Sequence, residues 1–168
     1  MYKIKLLLFI FPAVPTFLCC NSNVGRKQNE NDMAKKYSSF DSVNEEFKEA
    51  FIKSGIKMDT VSPYYILIPG TGCSGCINFA EDFLKENLHK HKNVKYILTK
   101  INSLKLLKLK LGINVFDNEI ILDTMDNFSN QSLYTIYPTI FFVNKEGNLD
   151  STLNSQSSSF DKFIQNIK

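Results

Sequence analysis

The chain has 168 residues, of which 43% are apolar and 14 are phenylalanine, enough for one compact domain with a sizeable core. The formal net charge is +3, but two of the lysines stand at the extreme N-terminus, so the body is nearly neutral and lacks a long basic run. This balance excludes nucleic acid as an expected partner. The four cysteines form two pairs, Cys19-Cys20 and Cys73-x-x-Cys76, and a body with one pair is not a disulfide-stapled miniprotein.

The N-terminus has the pattern of an export signal. A short basic start precedes an apolar run from Leu6 to Leu18 that two prolines interrupt. A membrane span needs about 20 apolar residues, so residues 1–20 are predicted to be a signal peptide. Residues 21–38 are rich in Asn, Ser, Lys and Glu, which predicts a flexible tether ahead of a domain at 39–168.

The end of this leader, Phe17-Leu-Cys-Cys20, resembles a bacterial lipobox. The resemblance implies that Cys20 is lipidated and becomes the new N-terminus, with Cys19 as the small residue before it. The protein is then expected outside the cytoplasm, in the periplasm or at the cell surface, lipid-anchored to a bacterial membrane. Plain secretion after cleavage and an uncleaved anchor are the alternatives.

The first half of the body alternates helices and strands. A capping-box pattern, Ser42-x-x-Glu45, and apolar residues at helical spacing predict an amphipathic helix that Gly55 ends. The apolar run 64–68 predicts a buried strand that Pro69-Gly70 ends. The cysteine pair follows at once and opens a second amphipathic helix, whose apolar face carries Ile77, Ala80, Leu84 and Leu88.

The second half continues the alternation and closes with a hairpin. A strand is predicted at 94–99 and a helix at 104–111, with Gly112 as its end. Residues 119–122 are compatible with a short strand or an irregular segment. The apolar strand 139–144 leads through the turn Lys145-Glu-Gly147 into a strand at 148–152, and a last amphipathic helix follows.

This order predicts an α/β fold in which a central mixed β-sheet is flanked by helices on both faces. Strands that alternate with helices pair in parallel through right-handed crossovers. The closing hairpin adds antiparallel strands to the same sheet.

The surroundings of Cys73-Ser-Gly-Cys76 indicate thiol chemistry. The pair lies between a buried strand with a glycine-rich turn and the start of a helix, so Cys73 is expected at the helix N-terminus. Unpaired backbone N–H groups and the positive end of the helix dipole favour a thiolate there. One helical turn brings Cys76 beside it, and the thiolate is the nucleophile in disulfide exchange.

From about Ser39 to its end the chain resembles the thioredoxin superfamily, and it looks nearest to the TlpA/ResA-type lipoproteins. The resemblance rests on the cysteine pair and on a later segment. That segment is Tyr137-Pro-Thr-Ile-Phe-Phe-Val143, followed by Asn144-Lys-Glu-Gly147. The resemblance implies a thioredoxin-like fold with Cys73 and Cys76 as catalytic residues. It also implies that Pro138 follows a cis bond and faces the cysteines, and that the backbone of Tyr137 pairs with an extended substrate peptide.

Three positions depart from the family pattern. Gly72 replaces the aromatic residue that usually precedes the first cysteine. Leu67 stands six residues before that cysteine, where a buried acid is usual. Ser74-Gly75 between the cysteines supplies neither the stiffness of proline nor the charge of histidine.

Other interpretations of these residues remain open. Cys73 and Cys76 could form a structural disulfide, or bind zinc, or deliver copper together with a histidine. Zinc would want four ligands, and His89 and His91 are expected at the far end of the helix, so no metal and no cofactor is predicted. Pro138 could be an ordinary trans proline that starts a strand. The lysines at 105, 108 and 110 predict a solvated face, with a docking patch for acidic partners or lipid head groups as the alternative.

Two functions follow from the sequence. The first is a monomeric thiol–disulfide oxidoreductase whose partners are protein thiols or disulfides and a redox partner that recharges it. In this function Cys73 attacks and Cys76 resolves. The second is a membrane-anchored binding module in which the disulfide is structural or vestigial.

Overall fold

The computed structural model of the protein describes residues 29–61, 64–130 and 132–167, with side chains from residue 40 onward. The predicted signal peptide, Cys20 and the first part of the predicted tether lie outside the described residues. None of the described helices combines the length and the apolar character needed to cross a bilayer.

Nine regular elements follow one another in the described part of the chain. The helices and strands are α1 (Asn29–Ser54), β1 (Tyr64–Pro69), α2 (Ser74–Asn87), β2 (Val94–Thr99), α3 (Leu104–Leu111), β3 (Ile120–Leu122), β4 (Thr139–Val143), β5 (Leu149–Asn154) and α4 (Ser158–Asn166).

The first helix is longer than its apolar pattern predicts. It begins at Asn29 and not near Ser42, so the segment predicted as a tether is helical from Asn29 onward. The extension contains Glu30, Met33 and Ala34, which favour a helix although no apolar periodicity marks them. The predicted core face is confirmed, since Phe47, Ala50 and Phe51 of this helix are buried.

The sheet is mixed, as expected. Its strand order is β3-β2-β1-β4-β5. The pairs β1–β2 and β2–β3 are parallel, whereas β1–β4 and β4–β5 are antiparallel. The segment at 119–122 that the sequence leaves open forms a strand, because Ile120 to Leu122 pair with Tyr96 to Leu98 at the sheet edge.

Two apolar clusters cover the two faces of this sheet. Successive side chains of β1 point to opposite faces and therefore belong alternately to one cluster and the other. Ile66 and Ile68 join a cluster with buried residues of α2 and α4. Tyr65 and Leu67 face the other way and join a cluster with Phe47 of α1. Helices therefore lie on both faces, and a βαβ unit followed by a ββα unit gives the thioredoxin-like arrangement implied by the resemblance.

The same register determines where the cysteines lie. Residue Leu67 of β1 pairs with Thr139, the first residue of β4. Since these strands are antiparallel, the end of β1 and the start of β4 meet at one edge of the sheet. The cysteine loop, which follows β1, and the segment before Thr139 therefore lie side by side.

Candidate functional site

A tight glycine loop delivers Cys73 to the start of α2. The N–H of Gly70 donates to the Thr99 carbonyl at 2.8 Å, which attaches the loop to the end of β2. Cys73 then takes the position before the first helical residue, with an extended backbone at φ −67° and ψ 100°, and its side chain makes no capping hydrogen bond. The thiol is thereby left available at the end of the helix where backbone N–H groups lack partners.

The two thiols lie together. The Sγ atoms of Cys73 and Cys76 are 2.6 Å apart, within contact but longer than the disulfide bond of about 2.05 Å, and both cysteines are free. Each is half-buried, so exposure does not distinguish the two thiols. The two cysteines are therefore close together and not bonded to each other.

The pKa values separate the two cysteines. A hydrogen bond from the Cys76 side chain lowers the pKa of Cys73, and the backbone N–H groups of Cys76 and Gly75 lower it further. The same contact between the side chains raises the pKa of Cys76, and burial adds to that increase. Cys73 is therefore the more acidic of the two thiols.

Ser155 is a site residue that the sequence does not reveal. It follows β5, its N–H donates to the Pro138 carbonyl at 2.9 Å, and its Oγ is buried without a partner at hydrogen-bonding geometry among the described residues. This hydroxyl is near enough to Cys76 to lower the pKa of that thiol, which opposes the effect of Cys73. A serine beyond a hairpin carries no local sign of such a contact.

Gly72 has a structural reason to be glycine. Its φ is +139°, and a Cβ there would lie 2.3 Å from the Ile136 carbonyl oxygen. That carbonyl accepts a hydrogen bond from the Cys73 N–H at 3.0 Å. The backbone at Ile136 thus fills the space that a side chain before Cys73 would need, which accounts for the missing aromatic residue.

The expectation of a cis bond at Pro138 was wrong. No peptide bond in the described ranges is cis, so the Tyr137–Pro138 bond is trans. Trans is the ordinary isomer before proline, and Pro138, which has no N–H to donate, directly precedes β4. The thioredoxin-like strand order is therefore present without the cis-proline.

The backbone of Tyr137 is already engaged. Its N–H donates to the Thr135 hydroxyl at 3.2 Å, and its carbonyl accepts a hydrogen bond from the same hydroxyl. A substrate peptide that pairs with Tyr137 would have to displace Thr135. The structure thus places Tyr137 and Pro138 in the segment beside the cysteine loop, with the pairing groups occupied.

A groove of about 370 Å³ lies beside the cysteine loop, between α2 and α3, and Gly70 is part of its wall. Glu81 of α2 also lines it and is buried, although it is not among the residues of the predicted apolar face. The carboxylate pairs with Lys110 Nζ of α3 at 2.6 Å. Lys110 is therefore an ion-pair partner across the groove, and not only part of a solvated face.

The two histidines lie beyond α2, as predicted. His89 places Nε2 at 3.3 Å from Asp117 and Nδ1 at 3.8 Å from Glu119, so each ring nitrogen faces a different carboxylate. The Glu119 carboxylate also accepts the backbone N–H of His89 at 2.8 Å. These contacts link the end of α2 to the start of β3.

Comparison with known proteins gives only distant structural likenesses. No sequence model of a protein family matches the chain, and no curated protein matches it. The crystal structure of StoA from Bacillus subtilis is similar at a TM-score of 0.41 and 15% identity, over 62% of this chain and 83% of StoA. A TM-score this low is too loose to support a conclusion. The thioredoxin-like assignment therefore depends on the strand order and on the cysteine pair at the start of α2.

Proposed function

We propose that this protein is a thiol–disulfide oxidoreductase that exchanges disulfides with protein substrates outside the cytoplasm. The observation that carries the proposal is the position of this contacting pair at the start of α2, where backbone N–H groups also lower the pKa of the Cys73 thiol. Backbone N–H groups at a helix N-terminus favour a thiolate, which is the nucleophile in disulfide exchange.

The first step of the reaction uses Cys73. Its thiolate attacks one sulfur of a substrate disulfide, so a Cys73–substrate bond forms and the substrate S–S bond breaks. The electron pair of that bond leaves on the second substrate sulfur, which takes a proton from water.

The second step uses Cys76, and the first step prepares it. Once Cys73 is bound in the mixed disulfide, it no longer offers a thiolate to the Cys76 thiol, so the main cause of the raised pKa is removed. The Ser155 hydroxyl remains and favours the Cys76 thiolate. Cys76 then gives up its proton and attacks the Cys73 sulfur, and the substrate leaves with two electrons gained. A dithiol reductant returns Cys73 and Cys76 to the reduced state.

Insulin reduction by dithiothreitol tests this function. The protein should accelerate the precipitation of the reduced insulin chains, since it would pass electrons from dithiothreitol to the insulin disulfides. A rate equal to that of dithiothreitol alone would contradict the proposal and favour a binding module with a vestigial cysteine pair.

We also propose that Cys20 carries the lipid that anchors the protein to a bacterial membrane. Cys20→Ser should abolish incorporation of labelled palmitate and leave the chain unprocessed or released. Cys19→Ser is the matched control and should keep the label, because serine is also a small residue before the modified cysteine. A wild-type protein that is wholly soluble, with its leader removed at another site, would contradict the anchor.

A further inference from the structure

The outward face of α3 exposes apolar side chains. Leu107 and Leu111 turn toward the core, whereas Leu106 is 65% and Leu109 is 72% exposed. Phe116, in the loop after the helix, is 60% exposed as well. The opposite side of this eight-residue helix supplies its core contacts, so the core does not require the exposed leucines.

The charge on this face has one sign. Lys105 and Lys108 are exposed among the leucines, and the stretch 101–116 contains neither Asp nor Glu. Lys108 holds its Nζ 4.2 Å from the centre of the Phe116 ring, so a cation and an aromatic side chain share one spot on the surface. Lys110 does not add to the positive charge of this face, because it pairs with Glu81.

We propose that the face formed by Lys105, Leu106, Lys108, Leu109 and Phe116 docks on the surface of a bilayer that contains anionic lipids. Helices that lie in a membrane interface bury leucine and aromatic side chains at the acyl boundary and keep lysines among the head groups. Lys105 and Lys108 alternate with exposed leucines on this face, so positive charge and apolar surface are interleaved as they are in a helix that lies among anionic head groups above the acyl boundary. The lipid surface is therefore the favoured occupant.

Docking on this face would orient the redox site. Leu106 lines the groove that also contains Gly70 of the cysteine loop. A domain that lies on its α3 face therefore holds the groove and the loop beside the lipid surface. This inference does not require the lipid at Cys20, although an anchor there would add to it.

The test uses the absence of tryptophan from the chain. Leu109→Trp in the full chain introduces a single reporter on the face, and Ile52→Trp is the matched control. Ile52 is 78% exposed on α1, which packs on the opposite face of the sheet. Both proteins are mixed with phosphatidylglycerol vesicles whose acyl chains carry bromine. Because the leader is present in both, it brings both to the vesicles equally.

The expected result is strong quenching of the emission of Leu109→Trp and little quenching of Ile52→Trp. Adding Lys105→Gln and Lys108→Gln to Leu109→Trp should lower the equilibrium constant for docking about 30-fold, from about fivefold per lysine. Replacing phosphatidylglycerol by phosphatidylcholine, or adding high salt, should also lower this equilibrium constant.

Equal quenching at the two positions, or none in Leu109→Trp, would overturn the proposal and leave the face to a protein partner. Insulin reduction by the same preparations separates this result from the redox function. A protein that reduces insulin but shows no selective quenching lacks only the membrane face. One that shows selective quenching but does not reduce insulin has the face without the proposed activity.

Discussion

Cys73→Ser is expected to lower insulin reduction to the rate of dithiothreitol alone, and Cys76→Ser is expected to trap substrates. Without the Cys73 thiolate there is little attack on the substrate disulfide, because burial still raises the pKa of Cys76 by more than the Ser155 hydroxyl lowers it. Without Cys76 the first step still occurs, but no neighbouring thiol resolves the mixed disulfide. The trapped species should appear as a higher band on non-reducing gels and disappear with excess reductant.

The two serine variants control each other. Serine removes the sulfur and changes the side-chain volume little, so both variants should melt close to the reduced wild-type protein. Trapping by Cys73→Ser and not by Cys76→Ser would reverse the assigned roles. Trapping by neither, with insulin reduction absent in the wild type, would mean that the pair is structural.

Gly72→Ala is expected to destabilise the protein and to inactivate it. The new Cβ would overlap the backbone of Ile136, which cannot move without loss of the hydrogen bond from the Cys73 N–H, and alanine rarely adopts a φ of +139°. Backbone strain and overlap together cost roughly 2–6 kcal/mol. Thermal unfolding should show a Tm lower by at least about 6 °C.

Gly75→Ala is the matched control from the same site. Apart from its chain neighbours and the backbone of α2 itself, no described heavy atom lies within 4 Å of a Cβ at Gly75, which is in the first turn of that helix. Its stability should therefore stay within about 1 kcal/mol of the wild type or rise slightly. Equal melting temperatures for the two alanine variants would show that the loop does not need the contact between Gly72 and Ile136.

Features with a local signature in the sequence were predictable. The cysteine pair before an amphipathic run predicts the start of α2, and Gly112, with φ 66°, ends α3 where the sequence indicates. The turn before β5 has the predicted glycine, Gly147, with φ 79°. In each case neighbours within a few residues determine the backbone conformation, so the local sequence pattern is enough to predict it.

Features that depend on distant contacts were not predictable. Glu81 is buried because Lys110, on another helix, neutralises it. Ser155 reaches Cys76 only because the β4–β5 hairpin brings it to the sheet edge where α2 begins. The trans bond at Pro138 differs from the family expectation in a segment whose backbone is held by Thr135 and by the Cys73 N–H. Except for Thr135, which is two residues before Tyr137, these partners are distant in sequence.

The pH dependence of alkylation tests the central claim most directly, namely that Cys73 and Cys76 form a working pair with unequal thiols. The reduced protein is treated with iodoacetamide over a range of pH, and the labelled peptides are quantified by mass spectrometry. Because the folded structure lowers the pKa of Cys73 and raises that of Cys76, Cys73 should react first, at a pH where ordinary thiols are still protonated. Equal labelling of both cysteines, with the midpoint of an ordinary free thiol, would contradict the account.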